Sequence, residues 1–250
     1  VYQAIVEART LVERPRESDR LGWMAELQRL LHDRDVRTVY QPLVELSTGR
    51  TVGVEAYTRG PTGSPLMMPR VMFSLGRDAG LLGELDRLCR QRALTSLEDT
   101  ARQGLVFVNT SAESLVDPDW SSPQTLERLA SLGLDPSQVV LDVSEDDLGS
   151  DLDQVADAVD ALRGYGYRIS IDNAGSSPRT VALVERLRPD FVKFDVTLVR
   201  GVAGNQLGRE LVRSLASLAR RAGAKLVAER VETAEERDVL SSCGAQLAQG

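Results

Sequence analysis

Histidine is nearly absent from this chain, which has 250 residues and a single His, His32, in the polar segment LLHDRD. A histidine general acid or a His-rich zinc site is therefore excluded. Any metal site must be built from carboxylate and amide oxygens, which favour Mg²⁺, Mn²⁺ or Ca²⁺.

Cysteine is scarce as well, and long apolar runs do not occur. Cys89 lies in a helical pattern and Cys243 near a helix end, which is typical of small buried thiols in a reducing cytosol. No uninterrupted apolar stretch approaches membrane-spanning length, and no signal peptide is visible. We therefore expect a cytoplasmic domain that makes no membrane contact.

The charge balance argues against nucleic acid as a partner. The net charge is −7, so an anionic ligand would need a local metal or arginine site. A hydrophobic content of 42% and a charged content of 27% are those of an ordinary globular protein. The length suits one (β/α)₈ barrel.

Seven short apolar runs each end in a polar or charged residue. They are rich in Val and Ile, as strands buried on both faces of a parallel sheet are. They recur about every 32 residues, close to the length of one β-α-β unit, and barrels of this kind build their sites at successive strand ends. The runs are VGVE ending at Glu55, VFVN at Asn109, VVLD at Asp142, ISID at Asp172, FVK at Lys193, LVAE at Glu229 and QLAQ at Gln249.

The pattern predicts an irregular (β/α)₈ barrel of the TIM type over residues 18–250. VRTVYQPLVEL and TVGVEAYTR flank the turn STGR, which predicts a β-hairpin and hence one antiparallel strand. We expect the C-terminal end to be truncated, with the last helix and strand beyond Gly250, and residues 1–17 to be a linker helix or the tail of an upstream domain. Helical periodicity predicts helices over residues 18–34, 70–101, 123–132, 151–165, 179–187, 205–222 and 234–243.

The strand-end residues lie within longer motifs that together resemble the EAL family of cyclic di-GMP phosphodiesterases. The resemblance covers residues 39–250, and the motifs follow the family's order and spacing. Any one of them is weak, whereas the set is specific. They are YQPLVELSTGRTVGVEAYTR, FVNTS, LDVSE, IDNAG, PDFVKFD, AERVET and the final QG.

The resemblance implies hydrolysis of one phosphodiester bond of cyclic di-GMP, giving linear pGpG, with two divalent ions that activate water and neutralise charge. The first ion, Mg²⁺ or Mn²⁺ with Ca²⁺ as an inhibitory occupant, would be held by Glu55, Asn109, Asp142 and Asp172. The second would be held by Asp172, Asn173 and Glu229. Catalysis would use Lys193 and Gln249, which position the water, and Glu229. The substrate would face Gln41, Arg59 and Asp195, and the loop after Asp172 would be braced by Glu145 and Glu232.

Several of these residues have a structural interpretation that the sequence leaves open. Asn109 fits a turn or helix-capping role nearly as well as ligation, and Asp195 fits a helix N-cap as well as a ligand contact. Glu145 lies in the acidic turn SEDD, which is also ordinary helix-capping chemistry. The function of Gln249 rests on the resemblance alone. Four carboxylates at the ends of buried strands are harder to explain without cations, because unpaired buried charge is costly.

Five departures from the family pattern affect the expected function. Hydrolysing members carry two adjacent aspartates where this chain has Asp172 and Asn173, and the amide removes a charge from the second metal site. Asp142 replaces a glutamate and is shorter by about 1.5 Å. The family loop DDFGTGYSS is here DNAGSSPRT, AEGVE is AERVE with Arg230, and the EAL triplet is EAY with Tyr57.

These departures lead us to expect a degenerate EAL domain of bacterial signalling, which binds cyclic di-GMP or a protein partner with weak or no hydrolysis. The alternative is an active metal-dependent cyclic di-GMP phosphodiesterase, since every position proposed for catalysis is occupied. A barrel enzyme that stabilises an enolate also fits a lysine among carboxylates, but the hairpin and the motif order argue against it. The other expected partners are a second copy, in a homodimer formed near the loop after Asp172, and an upstream sensory or GGDEF-type domain.

Overall fold

The computed structural model describes residues 17–97, 104–149, 152–175, 177–194 and 201–250. The helix predicted before residue 17 and residues 98–101 of the predicted helical stretch lie outside these ranges. The described chain forms two compact units. One contains residues 17–37 and Thr58–Leu88, and the other contains Thr38–Tyr57 and Cys89–Gly250.

Eight strands of the described chain close into a barrel in sequence order. Neighbours from β2 to β8 are parallel, whereas β1 pairs antiparallel with β8. The predicted irregular barrel with one antiparallel strand is confirmed. The strands are β1 (Arg37–Glu45), β2 (Thr51–Arg59), β3 (Leu105–Asn109), β4 (Val139–Ser144), β5 (Arg168–Ala174), β6 (Phe191–Phe194), β7 (Lys225–Ala228) and β8 (Leu247–Ala248).

The barrel closes inside the chain, which corrects the expectation that its last strand lies beyond Gly250. The antiparallel β1 lies beside β8, with Val44 opposite Ala248, so the early hairpin supplies the closing neighbour. The turn of this hairpin is held by the Gly49 amide, which donates to Glu45 O at 2.8 Å. Gly49 has a φ of 69°, a left-handed conformation that glycine adopts without strain.

Helices connect the strands, and those predicted after residue 120 begin and end within about one residue of the predicted bounds. Asn205 and Thr233 cap α8 and α9 through side-chain oxygens, as preferred N-cap residues do. No helix of the described chain combines the length and the apolar character needed to cross a membrane. The helices are α1 (Glu17–Asp33), α2 (Pro69–Asp78), α3 (Leu82–Thr95), α4 (Ala112–Leu115), α5 (Pro123–Ser131), α6 (Leu152–Gly164), α7 (Thr180–Leu187), α8 (Gln206–Ala222) and α9 (Ala234–Cys243).

Side chains of the strands alternate between two apolar layers, as the two-residue period of a strand requires. Val139 and Leu141 belong to a large core shared with the helices, while Val140 faces the barrel interior. Phe107 and Phe191 meet edge to face in that interior, with ring centroids 5.0 Å apart, so the barrel is packed rather than hollow at this level. The interior cluster consists of Leu43, Phe107, Val140, Phe191, Val227 and Leu247.

Candidate functional site

The polar strand ends lie one level above the interior cluster. Each follows an interior apolar residue by two positions, and the period of a strand puts both side chains on the same face. Because β2 to β8 run in one direction, these side chains meet at the carboxyl-terminal mouth of the barrel. The residues arranged in this way are Asn109, Asp142, Lys193, Glu229 and Gln249.

Lys193 lies at the centre of this mouth and is fully buried. Its ammonium donates to Glu55 Oε2 at 2.7 Å and to Asp142 Oδ2 at 2.8 Å. The ammonium also lies 3.0 Å from Glu229 Oε1 and 3.7 Å from Asp172 Oδ1. One cation therefore faces four carboxylates, which we call the acidic centre: Glu55, Asp142, Asp172 and Glu229.

The pKa values of the acidic centre reflect its excess of negative charge. Burial raises the pKa of Asp142 from 3.8 to about 7 against the attraction of Lys193, and burial also raises the pKa of Asp172 to about 7. The pKa of Glu229 is raised, again chiefly by burial. For Glu55, burial acts in the same direction, but the Lys193 ammonium and three side-chain hydrogen bonds outweigh it and lower the pKa. Burial disfavours the Lys193 ammonium, yet the surrounding carboxylates raise its pKa well above 10.5.

Two carboxamides donate hydrogen bonds to Glu55, one to each carboxylate oxygen. Gln249 Nε2 donates to Glu55 Oε2 at 2.6 Å and to the Tyr57 hydroxyl at 2.8 Å. Asn109 Nδ2 donates to Glu55 Oε1 and to Ala56 O, both at 3.2 Å. Both oxygens of Glu55 thus accept hydrogen bonds, which fixes the orientation of the carboxylate.

At a bulge in β5, the side chain of Asn173 contacts the carboxylate of Asp172. The register with β6 shifts between Ile171 and Ala174, and Asn173 has a φ of 57°, a left-handed conformation that Asn adopts more readily than most residues. Its Nδ2 donates to Asp172 Oδ2 at 3.0 Å and to Ser144 Oγ at 3.3 Å. The amide therefore uses an acceptor of Asp172 and adds no charge.

Buried Glu145 anchors the loop that follows β5. Its carboxylate accepts hydrogen bonds from Ser177 Oγ and from Thr180 Oγ1, the latter at 2.7 Å. Thr180 Oγ1 in turn accepts from the Gly175 amide at 2.9 Å. These bonds join the end of β4, the loop and the start of α7.

Glu232, which was expected to brace the loop, lies outside this network, and so does Arg230. Glu232 is exposed, and its backbone amide donates to Glu236 Oε2 in the cap of α9. Because this cap holds Glu232 at the surface, its carboxylate forms no hydrogen bond with the described part of the loop. Arg230 is exposed in a left-handed conformation with a φ of 54°, and its guanidinium makes no ion pair with the acidic centre among the described residues.

Of the three residues expected to face a substrate, the structure describes two, Gln41 and Arg59, and these belong to different compact units. Gln41 is half-buried on β1, two residues before the interior Leu43. Because β1 runs antiparallel to the other strands, Gln41 lies at the carboxyl-terminal mouth. Arg59 ends β2 in the other compact unit, where its guanidinium donates to Thr58 O at 2.8 Å. Asp195 lies outside the described residues.

The donors at the mouth fit a divalent cation. Asp142 Oδ1 and Gln249 Oε1 are buried and have no hydrogen-bond partner within the described ranges. Carboxylate and amide oxygens of this kind are the ligands of hard cations, and the acidic centre has more negative than positive charge. In the part of the chain that the structure describes, no three acidic side chains are already arranged as a closed metal centre, because the carboxylates converge on the Lys193 ammonium.

Two residues of this region receive no role from the sequence. Tyr57 is identified only as a departure from the EAL triplet, although the period of β2 puts it on the same face as Glu55. Thr180 is not identified at all. Its contact with Glu145 depends on how the loop after β5 folds back, which no local spacing predicts.

Fold and site together define a mostly parallel barrel whose mouth carries an acidic, lysine-centred cluster suited to a cation. The chain belongs to the EAL domain family, whose pattern matches residues 24–250.

Similar proteins of this family have been described by sequence and by structure. Cyclic di-GMP phosphodiesterase NbdA of Pseudomonas aeruginosa is 30% identical over 94% of this chain and 30% of its own length. BlrP1 of Klebsiella pneumoniae, solved as a calcium and cyclic di-GMP complex, is 29% identical with a TM-score of 0.74, covering 86% of this chain and 54% of that chain. The FimX EAL domain of Pseudomonas aeruginosa bound to cyclic di-GMP is 25% identical with a TM-score of 0.79, covering 91% and 93%. The chain spans about a third of the length of the curated relatives it matches.

Proposed function

We propose that the chain is a signalling EAL domain that binds cyclic di-GMP at the barrel mouth, with weak or no hydrolysis. One observation carries this choice: Asn173 presents a neutral amide 3.0 Å from Asp172 Oδ2, where hydrolysing members of the family have a second aspartate. Asp172 thus accepts an N–H through an oxygen that, by the resemblance, a second cation would need as a ligand.

A divalent ion would be held by three carboxylates and one amide, namely Glu55, Asp142, Asp172 and Asn109. These donors suit Mg²⁺ or Mn²⁺, with Ca²⁺ as an inhibitory occupant. When bound, such an ion supplies Lewis-acid polarisation of a phosphate and lowers the pKa of a coordinated water. The Asn173 side offers only Asp172 and Glu229 as charged donors, so we expect at most one well-ordered ion without nucleotide.

The phosphates of cyclic di-GMP need positive partners, because the chain as a whole has a net charge of −7. We expect the bound ion and Arg59 to supply this charge. Gln41 on β1 and Asp195 are proposed as further contacts with the nucleotide.

An active metal-dependent cyclic di-GMP phosphodiesterase that releases pGpG is the second candidate. It is favoured by the approach of Lys193 Nζ to Glu229 Oε1 at 3.0 Å and of Gln249 Nε2 to the same oxygen at 3.4 Å. The three groups that the resemblance assigns to catalysis thus meet at one oxygen atom. The neutral side chain at residue 173 argues against full activity.

Calorimetry with cyclic di-GMP and chromatography of the reaction products separate the two candidates. In Ca²⁺ we expect a saturable binding heat, and in Mn²⁺ we expect little or no pGpG after prolonged incubation. Ready release of pGpG would replace the proposal by the active enzyme. Absence of binding heat in both ions at high nucleotide concentration would overturn nucleotide binding and leave a protein partner as the ligand.

We also propose that the domain pairs as a homodimer near the loop after Asp172, with α7 and α8 as the contact helices. The loop after Asp172 leads into α7, and apolar side chains are exposed on these helices: Val181 is 55% exposed, Leu207 79% and Leu211 41%. Exposed apolar patches often mark protein interfaces. Light scattering should give the mass of a dimer, and Leu207→Lys combined with Leu211→Lys should give a monomer. A wild-type monomer at working concentration would refute the pairing.

An upstream sensory or GGDEF-type domain is the proposed source of the input signal.

A further inference from the structure

Tyr57 brings a hydroxyl to the acidic centre at a position where the family triplet has leucine. It follows Glu55 by two residues on β2, so both side chains lie on the same face of the strand. The Tyr57 hydroxyl accepts an N–H from Gln249 at 2.8 Å and donates to Glu55. A leucine side chain does neither, so this chain has a polar link that its family's usual triplet lacks.

The Gln249 Nε2 group has two close acceptors, Glu55 Oε2 and the Tyr57 hydroxyl, and a longer contact of 3.4 Å with Glu229 Oε1. Gln249 is 3% exposed, and its two N–H groups are used by Glu55 Oε2 at 2.6 Å and by the Tyr57 hydroxyl at 2.8 Å. An ionised carboxylate only accepts hydrogen bonds, so the reverse amide orientation would set Gln249 Oε1 against a negative charge. Glu55 therefore determines which end of the Gln249 amide faces it. The second hydrogen bond, to the Tyr57 hydroxyl, fixes the plane of the amide.

Because the N–H groups of the Gln249 amide are held, the position of its oxygen, Oε1, is fixed as well. Gln249 Oε1 is buried and has no donor within the described ranges. Buried carbonyl oxygens usually have a partner, because leaving the bond unmade is costly. A fixed acceptor without a protein donor suits a donor that arrives with the ligand, such as a water molecule or a hydroxyl group.

We propose that Tyr57 is a positioning residue, which holds the Gln249 carboxamide so that its Oε1 accepts a hydrogen bond from a water or hydroxyl group bound at the mouth. This inference rests on the proposed function, because it concerns the same mouth. It adds to that function a residue that acts through Gln249 and departs from the usual EAL triplet.

Tyr57→Phe removes the hydroxyl and keeps the ring. In isotope-labelled protein without nucleotide, the side-chain amide signals of Gln249, assigned by their loss in Gln249→Met, should shift and exchange faster with solvent. The Mn²⁺ affinity from calorimetry should fall about fivefold, the loss expected from one hydrogen bond. Tyr167→Phe is the matched control, because its buried hydroxyl donates to Trp120 O at 2.8 Å; it should alter neither quantity.

A double-mutant cycle decides whether Tyr57 acts through Gln249. In the Gln249→Met background, Tyr57→Phe should lower the Mn²⁺ affinity no further. An equal fall in both backgrounds would overturn the proposal, and so would unchanged Gln249 amide signals in Tyr57→Phe. If Tyr57→Phe does not fold, Tyr57→Leu is judged by the same criteria; if Mn²⁺ gives no heat, the amide signals decide alone. None of these readouts uses cyclic di-GMP, so failure here is distinct from failure of the wild type to bind nucleotide.

Discussion

At the scale of single residues, Lys193 and Asn173 set the charge of the mouth. Lys193 brings one positive charge to four buried carboxylates and contacts three of them within 3.0 Å. The raised pKa values of Asp142 and Asp172 follow from burial that this single cation does not fully offset. Asn173 limits the excess of negative charge at the mouth, because it donates a hydrogen bond where a second aspartate would add a fifth negative charge. We therefore expect Asn173 to favour the metal-free centre over the metal-bound one.

Asn173→Asp should bind Mn²⁺ more tightly than the wild type and hydrolyse cyclic di-GMP faster. The change adds a negative charge without altering side-chain size, and Asp tolerates the left-handed backbone at this position. Because the new carboxylate would repel Asp172 across the 3.0 Å contact, we expect the free energy of unfolding in EDTA to fall by about 1–3 kcal/mol. Calorimetry with Mn²⁺, urea unfolding and pGpG release measure the three effects.

Asn205→Asp is the matched control for this change. It adds the same charge at the exposed N-cap of α8, where Asp caps a helix as well as Asn does. It should leave Mn²⁺ affinity and hydrolysis unchanged. If Asn173→Asp raises Mn²⁺ affinity and hydrolysis no more than Asn205→Asp does, the missing charge is not the main reason for weak activity, and the altered loop SSPRT is.

At the scale of elements, the geometry of the mouth depends on how closely β2 and β3 approach. Gly53 pairs with Leu105, and a Cβ at Gly53 would lie 2.4 Å from Leu105 O. Further along the same strands, Asn109 Nδ2 lies 3.2 Å from Glu55 Oε1. Because both contacts depend on one inter-strand distance, the missing side chain at Gly53 supports the spacing of two proposed ligands.

Gly53→Ala should push β2 and β3 apart. Overpacking of this kind costs about 1–3 kcal/mol of unfolding free energy, measured by urea denaturation, and the Mn²⁺ affinity should fall with it. Gly164→Ala serves as the control, because a Cβ there meets no atom within 4 Å and alanine favours the helix α6. Equal stability of the two variants would show that the approach of β2 and β3 is not critical.

At the scale of the whole molecule, the buried carboxylates make stability depend on pH. Folding raises the pKa of Asp142 and of Asp172 from 3.8 to about 7. Between these values the unfolded chain has already released the two protons that the folded chain still holds. Since stability falls with rising pH wherever the unfolded state binds fewer protons, these groups stabilise the fold below about pH 4 and lose that contribution as the pH rises through about 7.

In EDTA, the contribution of these groups should lower the melting temperature between about pH 5 and about pH 8. Asp142→Asn should flatten this slope, because it removes one of the groups whose pKa folding raises. Mn²⁺ should raise the melting temperature more at the higher pH, since cations and protons compete for the same carboxylates. A slope in Asp142→Asn as steep as that of the wild type would mean that Asp142 is already ionised in the folded, metal-free chain.

The residues of the mouth were predictable from sequence as a set, because local patterns encode the strands that carry them. Asn109, Asp142, Lys193 and Glu229 each end an apolar run with the two-residue period of a strand. The hairpin around Gly49 and the caps at Asn205 and Thr233 are also local. From these patterns the chain by itself determined the barrel, the antiparallel strand and the mouth at which the polar strand ends meet.

Only the tertiary structure decided which of those groups touch. Gln249 and Glu55 bond across 194 positions of sequence, and the direction of each side chain there depends on a closed barrel. The bulge that sets Asn173 against Asp172 and the loop that brings Thr180 to Glu145 are shaped by packing rather than by periodicity. Contacts between distant residues depend on the closed fold as a whole, and for that reason no local spacing in the sequence encodes them.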